Sequence, residues 1–393
     1  MRNVLFLVLL FFSTQNHADI DRFKSGVRKV QAYRNLTAGT ISENLKSPHL
    51  YDSYKLRDLK PLNYNDSFFA DHANKKEIKF VVFGDSGTAK PAQREVAQSM
   101  FKTCRQLGCD FALSTGDLVY NVAFDESPGD TISDKDLSEV KERFSNVYAG
   151  FGKGFNILIA LGNHDWGGNV QHFINYSLID PNNQWKVPFT FYGVPKLPSW
   201  LGIYSYDSTR QRQLWDGHPE LEGVYNGNLG STKIVGHLDN GGAEQYLCSK
   251  KGWKFTFAHH FIYSARDDGK KRTVTTNIMK KSFLPLMRKC GVQIHFSGHD
   301  HDLQHIEVPK GRGFDFVQVL SGSSGKIERP GEWKIDNWPK GEYRTSLALR
   351  EFGYAYVKVT PNRVSISYYA SADGTAANNK LVRVMSYNLS DFN

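Results

Sequence analysis

Five short stretches of this chain carry residues that bind hard or borderline cations. They hold Asp85; Asp117 with Tyr120; Asn163 with His164; His259 with His260; and His299 with His301. The octapeptide Ser114-Thr115-Gly116-Asp117-Leu118-Val119-Tyr120-Asn121 is the most telling. A carboxylate such as Asp117 has two oxygens and can bridge two cations. A phenol has an ordinary pKa of ~10, so Tyr120 becomes a ligand only beside an ion charged enough to pull off its proton. We therefore read Asp117 as joining two metal ions and Tyr120 as bound to the more highly charged one. Taken singly, each stretch has a plainer explanation. Asp85 could cap a helix, Asn163 could make an Asx-turn, and His260 could be a packed histidine. Together, carboxylate, phenolate, amide oxygen and imidazole suit hard or borderline ions, not thiophilic ones.

All five stretches follow apolar runs that read as buried strands. The runs are Lys79–Phe83, Phe111–Leu113, Asn156–Leu161, Lys254–Ala258 and Val292–Phe296. Helical spacing covers 91–107, with Val96, Met100, Phe101 and Cys104 on one side, and helices are also expected over 135–149 and 274–289. Strand and helix alternate, which predicts right-handed crossovers and parallel pairing. In such α/β sheets the ligand crevice lies beyond the carboxyl ends of the strands, where all five stretches fall. Residues 166–245 are rich in Gly, Pro, Trp, Tyr and Asn, with short strands such as Phe189–Phe191 and Gly202–Tyr206, and part of this segment should be loop over the site. Beyond 313 the pattern turns to antiparallel strands: Phe314–Leu320, Gly353–Val359 and Val364–Tyr369.

Length and composition fit one large α/β domain with extensions. The 393 residues are 40% hydrophobic and 13% aromatic, enough for a sizeable core. Met1–Ala18 reads as a secretory signal, with Arg2, an apolar run from Val4 to Phe12, and a small residue at its end. That run is too short for a spanning helix, which needs ~20 residues. The expected domains are 1–18 signal peptide, 19–74 N-terminal extension (with a short helix at Lys24–Arg34), 75–375 main domain and 376–393 C-terminal tail. A secreted, periplasmic or lumenal protein with no stable membrane anchor follows. The net charge is +9, or +8 once Arg2 leaves with the signal, which favours anionic partners. The basic residues are scattered rather than striped with aromatics, so a small phosphorylated substrate is expected and nucleic acid is not. Export permits disulfides among Cys104, Cys109, Cys248 and Cys290, and all three pairings stay open. Four Asn-x-Ser/Thr sites, at Asn35, Asn65, Asn175 and Asn388, matter only in a glycosylating host. The oligomeric state is not legible.

Gly-Asp-x-Gly, Gly-Asp-x-x-Tyr, Gly-Asn-His, a paired-His strand end and Gly-His-x-His, in this order, resemble the purple acid phosphatase branch of the calcineurin-like metallophosphoesterases. The small tartrate-resistant acid phosphatases are the nearest type, and the resemblance covers roughly residues 78 to 370. Ordinary metallophosphoesterases carry Asp-x-His in the first motif and lack the tyrosine. Here Gly87 stands where that histidine would be and Tyr120 is present, so one ligand replaces the other. The resemblance implies a four-layer αββα sandwich with a dinuclear metal site at strand C-terminal ends. It also implies Fe(III) on Asp85, Asp117, Tyr120 and His301, and a divalent ion (Fe, Zn or Mn) on Asp117, Asn163, His259 and His299.

The implied activity is hydrolysis of phosphate monoesters, with two cations clamping the phosphate, an acid optimum and a purple tyrosinate-to-iron colour. His164 is expected to steady the phosphate or protonate the leaving oxygen, with His260 as the second candidate for the proton. Two departures qualify this picture. Phe261 stands where relatives often carry proline; register favours His259 over His260 as ligand, and a swap stays open. Asp268 stands where the small acid phosphatases carry another histidine, which bears on pH profile and substrate range. A phosphodiesterase or nucleotidase on the same site, or an idle binding protein like the apicomplexan anchors of this branch, are the alternatives. All seven ligand positions are intact and no C-terminal apolar anchor is present, which favours a soluble enzyme.

Overall fold

In a computed structural model, the structure describes residues 59–120, 132–167, 169–209, 242–266, 270–327, 342–371 and 378–392. The signal at 1–18, the Lys24–Arg34 helix, Asn121 and Asp268 lie outside these residues, as does 210–241 of the variable segment.

Fourteen strands among the described residues make two seven-stranded sheets. In chain order they are β1 (Ile78–Phe83), β2 (Phe111–Ser114), β3 (Ile157–Ile159), β4 (Trp185–Lys186), β5 (Tyr192–Gly193), β6 (Leu201–Ser205) and β7 (Trp253–Phe257). Then follow β8 (Ile294–Ser297), β9 (Leu303–Lys310), β10 (Gly313–Ser321), β11 (Arg344–Leu349), β12 (Gly353–Val359), β13 (Arg363–Ala370) and β14 (Lys380–Asn388). The first sheet runs β14-β13-β12-β1-β2-β3-β4 and the second β11-β9-β10-β8-β7-β6-β5.

The expected parallel pairing holds at the centre of each sheet. β1, β2 and β3 are mutually parallel in the first, and β6, β7 and β8 in the second. These strands are buried almost throughout, which is why they read as unbroken apolar runs. The sheets pack face to face, with Phe80 of β1 meeting Phe296 of β8 edge-on, ring centroids 5.7 Å apart.

Helices cover the outer faces. Pro91–Leu107 (α1) begins on proline, whose missing N–H costs nothing in a first turn, and lays Val96, Ala97 and Met100 on the first sheet. A helical run over Asp134–Phe151, capped by Ser133, adds Phe144 and Tyr148, which pack on Trp185 and Phe83. The second sheet carries Gly242–Ser249 and Leu284–Cys290, with Leu247 and Met287 in one apolar cluster with Tyr204 and Phe316. The result is the four-layer αββα sandwich.

Several sequence expectations are corrected. The helix expected over 274–289 is two, Lys270–Ser282 and Leu284–Cys290, because Pro285 cannot donate back into the first. Phe189–Phe191 is bent chain, and the short strand follows it at Tyr192–Gly193. Val317–Leu320 of β10 lies parallel to β8, because β9 intervenes and pairs antiparallel on its other side. Within the segment expected as a C-terminal tail, 376–393, β14 pairs along the whole of β13. The domain also starts earlier than 75: Leu62, Phe68 and Phe69 are buried in the main core, and the Leu62 N–H donates to the Pro188 carbonyl at 2.8 Å. Of the three cysteine pairings, the structure has Cys104–Cys109 and Cys248–Cys290.

Candidate metal centre

The five motif stretches meet where β1, β2 and β3 of one sheet and β7 and β8 of the other run out together. The site is thus built by two facing sheets, not by the edge of one. Three of its residues sit in the left-handed backbone region: Asp85 (φ 54°), Asp117 (φ 54°) and His299 (φ 69°). Non-glycine residues enter that region mainly as Asn, Asp or His, and such strain gathers at functional sites. Two motif glycines are explained by close approach. A Cβ on Gly162 would stand 2.2 Å from Asp117 Oδ1, and one on Gly298 2.4 Å from Asp85 Oδ2. Only hydrogen at these positions lets the carboxylates occupy the gap.

The polar atoms form two groups. In the first, Tyr120 Oη donates to Asp85 Oδ1 at 3.3 Å, and His301 Nε2 lies 3.4 Å from Tyr120 Oη and 3.5 Å from Asp85 Oδ1. In the second, His259 Nε2 lies 2.9 Å from Asn163 Oδ1, 3.1 Å from His299 Nδ1 and 3.5 Å from Asp117 Oδ1. Asp117 links the groups, because ligand atoms of Asp85, Asp117 and His259 all lie within 4.8 Å of one another.

The protonation pattern fits a cation. His259 Nδ1 sits 2.8 Å from the Thr115 carbonyl, which can only accept, so Nδ1 carries the proton and Nε2 is a lone pair. That lone pair faces the Asn163 carbonyl oxygen, so two acceptors point at each other with no hydrogen between them. A metal ion satisfies both at once, and an imidazole anchored by its other nitrogen is the usual metal-binding arrangement. Charge argues the same way. Asp85 and Asp117 are 0% and 1% exposed. Burial, reinforced by the negative charge of Asp117, pushes the Asp85 carboxyl well above the ordinary range, and burial beside Asp85 pushes the Tyr120 phenol up. A bound cation would oppose both shifts by favouring the ionised carboxylate and phenolate.

His164 and His260 border the second group. The His164 N–H donates to Asp117 Oδ1 at 3.0 Å, and its half-buried ring packs edge-on to Tyr120 at 4.6 Å. Burial holds its imidazole below the ordinary histidine value. His260 is fully buried, with its ring centroid 4.4 Å from that of His299.

Three residues of the site were missed by sequence reasoning. Asp165 accepts N–H groups from both the Asp117 loop and Gly162; its place directly after Gly162-Asn163-His164 was the available signal. Ser208 holds His260, but nothing in its sequence context marks it. Lys326 places its ammonium 4.6 Å from the Tyr120 ring centroid and lies far from every motif in sequence.

Residues 78–303 match the calcineurin-like phosphoesterase family. The chain is 26% identical over 328 residues to pig (Sus scrofa) tartrate-resistant acid phosphatase type 5, covering 78% of this chain and 87% of that protein. It is 25% identical over 302 residues to purple acid phosphatase 4 of Arabidopsis thaliana, covering 74% and 80%. Among solved structures, GAP50, the anchor in the inner membrane complex of Plasmodium, superposes with a TM-score of 0.56 at 17% identity, covering 79% of this chain and 90% of that one. At that identity the likeness is one of fold. Among the described residues no helix is long and apolar enough to cross a membrane.

Proposed function

Because the chain belongs to the calcineurin-like phosphoesterases, whose members imply a dinuclear metal site, we propose that it hydrolyses phosphate monoesters as an acid phosphatase with an Fe(III)–M(II) pair. The observation that carries this reading is the convergence of Asp85, Tyr120 and His301 on one side of Asp117, and of Asn163, His259 and His299 on the other. The first set is rich in anionic oxygen and suits a hard trivalent ion. The second is rich in nitrogen and suits a borderline divalent ion such as Fe, Zn or Mn. When bound, the pair supplies charge neutralisation for the phosphoryl group.

The chain's own residues supply the rest. Asp117 holds the two halves at a fixed spacing. His164, tied through its backbone to Asp117 and through its half-buried ring to Tyr120, delivers a proton to the leaving oxygen. Lys326 adds positive charge at the mouth and draws the anionic substrate in.

The test is metal analysis of purified protein, together with phosphate release from a chromogenic monoester at acid and neutral pH and a diester in parallel. Iron with a visible absorption band and acid monoesterase activity supports the proposal. Zinc or manganese alone counts against the tyrosinate assignment. Metal-loaded protein that releases no phosphate points to an idle binding role.

A further inference from the structure

We propose that His260 is an additional ligand of the divalent ion, so that three imidazoles, His259, His260 and His299, converge on it rather than two. The inference rests on the dinuclear site proposed above and adds a ligand to it. One ligand atom from each of the three rings lies within 4.8 Å of the other two. Ring centroids are 5.0 Å apart for His259 and His260, 5.0 Å for His259 and His299, and 4.4 Å for His260 and His299, so the rings surround one point.

Adjacent residues in a strand point to opposite faces. Here β7 ends at Phe257, two residues before His259, which frees the neighbouring rings to share one side. The His260 ring is also held in place. Ser208 Oγ lies 3.1 Å from its Nδ1 and accepts the His260 backbone N–H at 2.9 Å. A hydroxyl on one ring nitrogen fixes the plane of the ring, as outer partners of metal-bound histidines do. Three imidazoles with Asn163 and Asp117 make this site more nitrogen-rich than the expected set. Such a site favours zinc or ferrous iron over manganese.

X-ray absorption at the zinc edge tests the proposal on wild-type protein carrying one zinc per chain. Imidazole scattering from three histidines is expected. A second arm measures zinc affinity by competition with a chelator. His260→Phe should weaken it by about 100-fold or more, and Ser208→Ala by about 10- to 100-fold, the range typical of lost outer partners. Two or fewer imidazoles around the wild-type zinc, or unchanged affinity in a folded His260→Phe protein, overturns the third ligand and leaves the dinuclear reading standing. A wild-type chain that binds no zinc overturns both.

Discussion

Asp165 joins the loop of Asp117, the proposed bridging carboxylate, to the loop that begins at Gly162. Its Oδ2 accepts the N–H of Asp117 at 2.9 Å and of Gly162 at 2.7 Å, and its Oδ1 accepts those of Leu118 at 2.9 Å and Val119 at 3.3 Å. One buried side chain thus ties the end of β2 to the end of β3, without belonging to either group of proposed ligands. Burial and the charge of Asp117 raise its carboxyl pKa, while the backbone donors oppose them. Hydrogen bonds to a charged acceptor are the strong class, and losing one strands a buried donor.

Asp165→Asn keeps the shape but turns an amide N–H₂ toward backbone N–H groups. We expect about 2–3 kcal/mol less stability in denaturant unfolding and a lower metal content on purification, because the loops of Asp117 and Gly162 lose their shared anchor. Full metal content and an unshifted unfolding midpoint would show that the loops hold their spacing without it.

His164→Ala removes the ring beside Tyr120 but leaves the backbone N–H that Asp117 accepts. Turnover should fall by about 10²- to 10⁴-fold, the usual contribution of a positioned proton donor. Metal content and the visible band should be unchanged. Elemental analysis beside steady-state kinetics checks both halves, and turnover within a factor of about two of wild type would remove the proton-donor role.

The central strands and the five motif-bearing turns were legible because β1, β2, β3, β7 and β8 are buried on both faces, so their sequences are apolar almost throughout and stop abruptly at polar residues. The closing strand β9 was not, for a physical reason. Gln304, His305 and Glu307 are buried in it, and their polar atoms are satisfied by Asp302, Tyr368, Tyr387 and Arg344. Hydrophobic periodicity fails where a strand is buried among hydrogen-bond partners from distant sequence. β14 was unread for the opposite reason, since most of it faces solvent at a sheet edge. Ser208 and Lys326 escaped because single residues reach the site through tertiary packing and leave no local pattern.

Lys326 follows Gly325, whose backbone is packed against Ser86 so closely that a Cβ there would lie 2.2 Å from the Ser86 carbonyl oxygen. The segment is further tied to the Asp85 turn by the bond from Ser324 N–H to the Gly84 carbonyl at 3.2 Å. The exposed ammonium therefore hangs over Tyr120 from a fixed base. Lys326→Ala should raise KM for a phosphate monoester by about tenfold and flatten its dependence on ionic strength, while Lys326→Arg restores both. Kinetics over a salt series decide this. An alanine variant with the salt response of wild type would show that the charge does not attract substrate.

The last prediction concerns acid. His305 is fully buried between Tyr368 Oη, 2.8 Å from Nδ1, and Tyr387 Oη, 2.6 Å from Nε2, and Tyr387 in turn donates to Glu307 at 2.6 Å. Burial pushes its imidazole down to about 4, with Glu307 acting against that shift and Arg383 and Arg344 with it. Burial likewise pushes His295, beside Thr256, down to about 4. In the unfolded chain these rings titrate near ~6.5, so between that value and ~4 the unfolded chain holds protons that the folded one does not. Stability is therefore full above about pH 6.5 and falls as pH drops toward about 4, by on the order of 3 kcal/mol for each ring. A chain proposed to work in acid thus carries, in His295 and His305, buried groups that weaken it there. Denaturant unfolding from about pH 7 to about pH 4 should show the decline, and His305→Gln should make it shallower even if the variant is weaker at neutral pH. A variant whose stability falls as steeply as the wild type's would mean that His305 is not one of the groups taking up protons on unfolding.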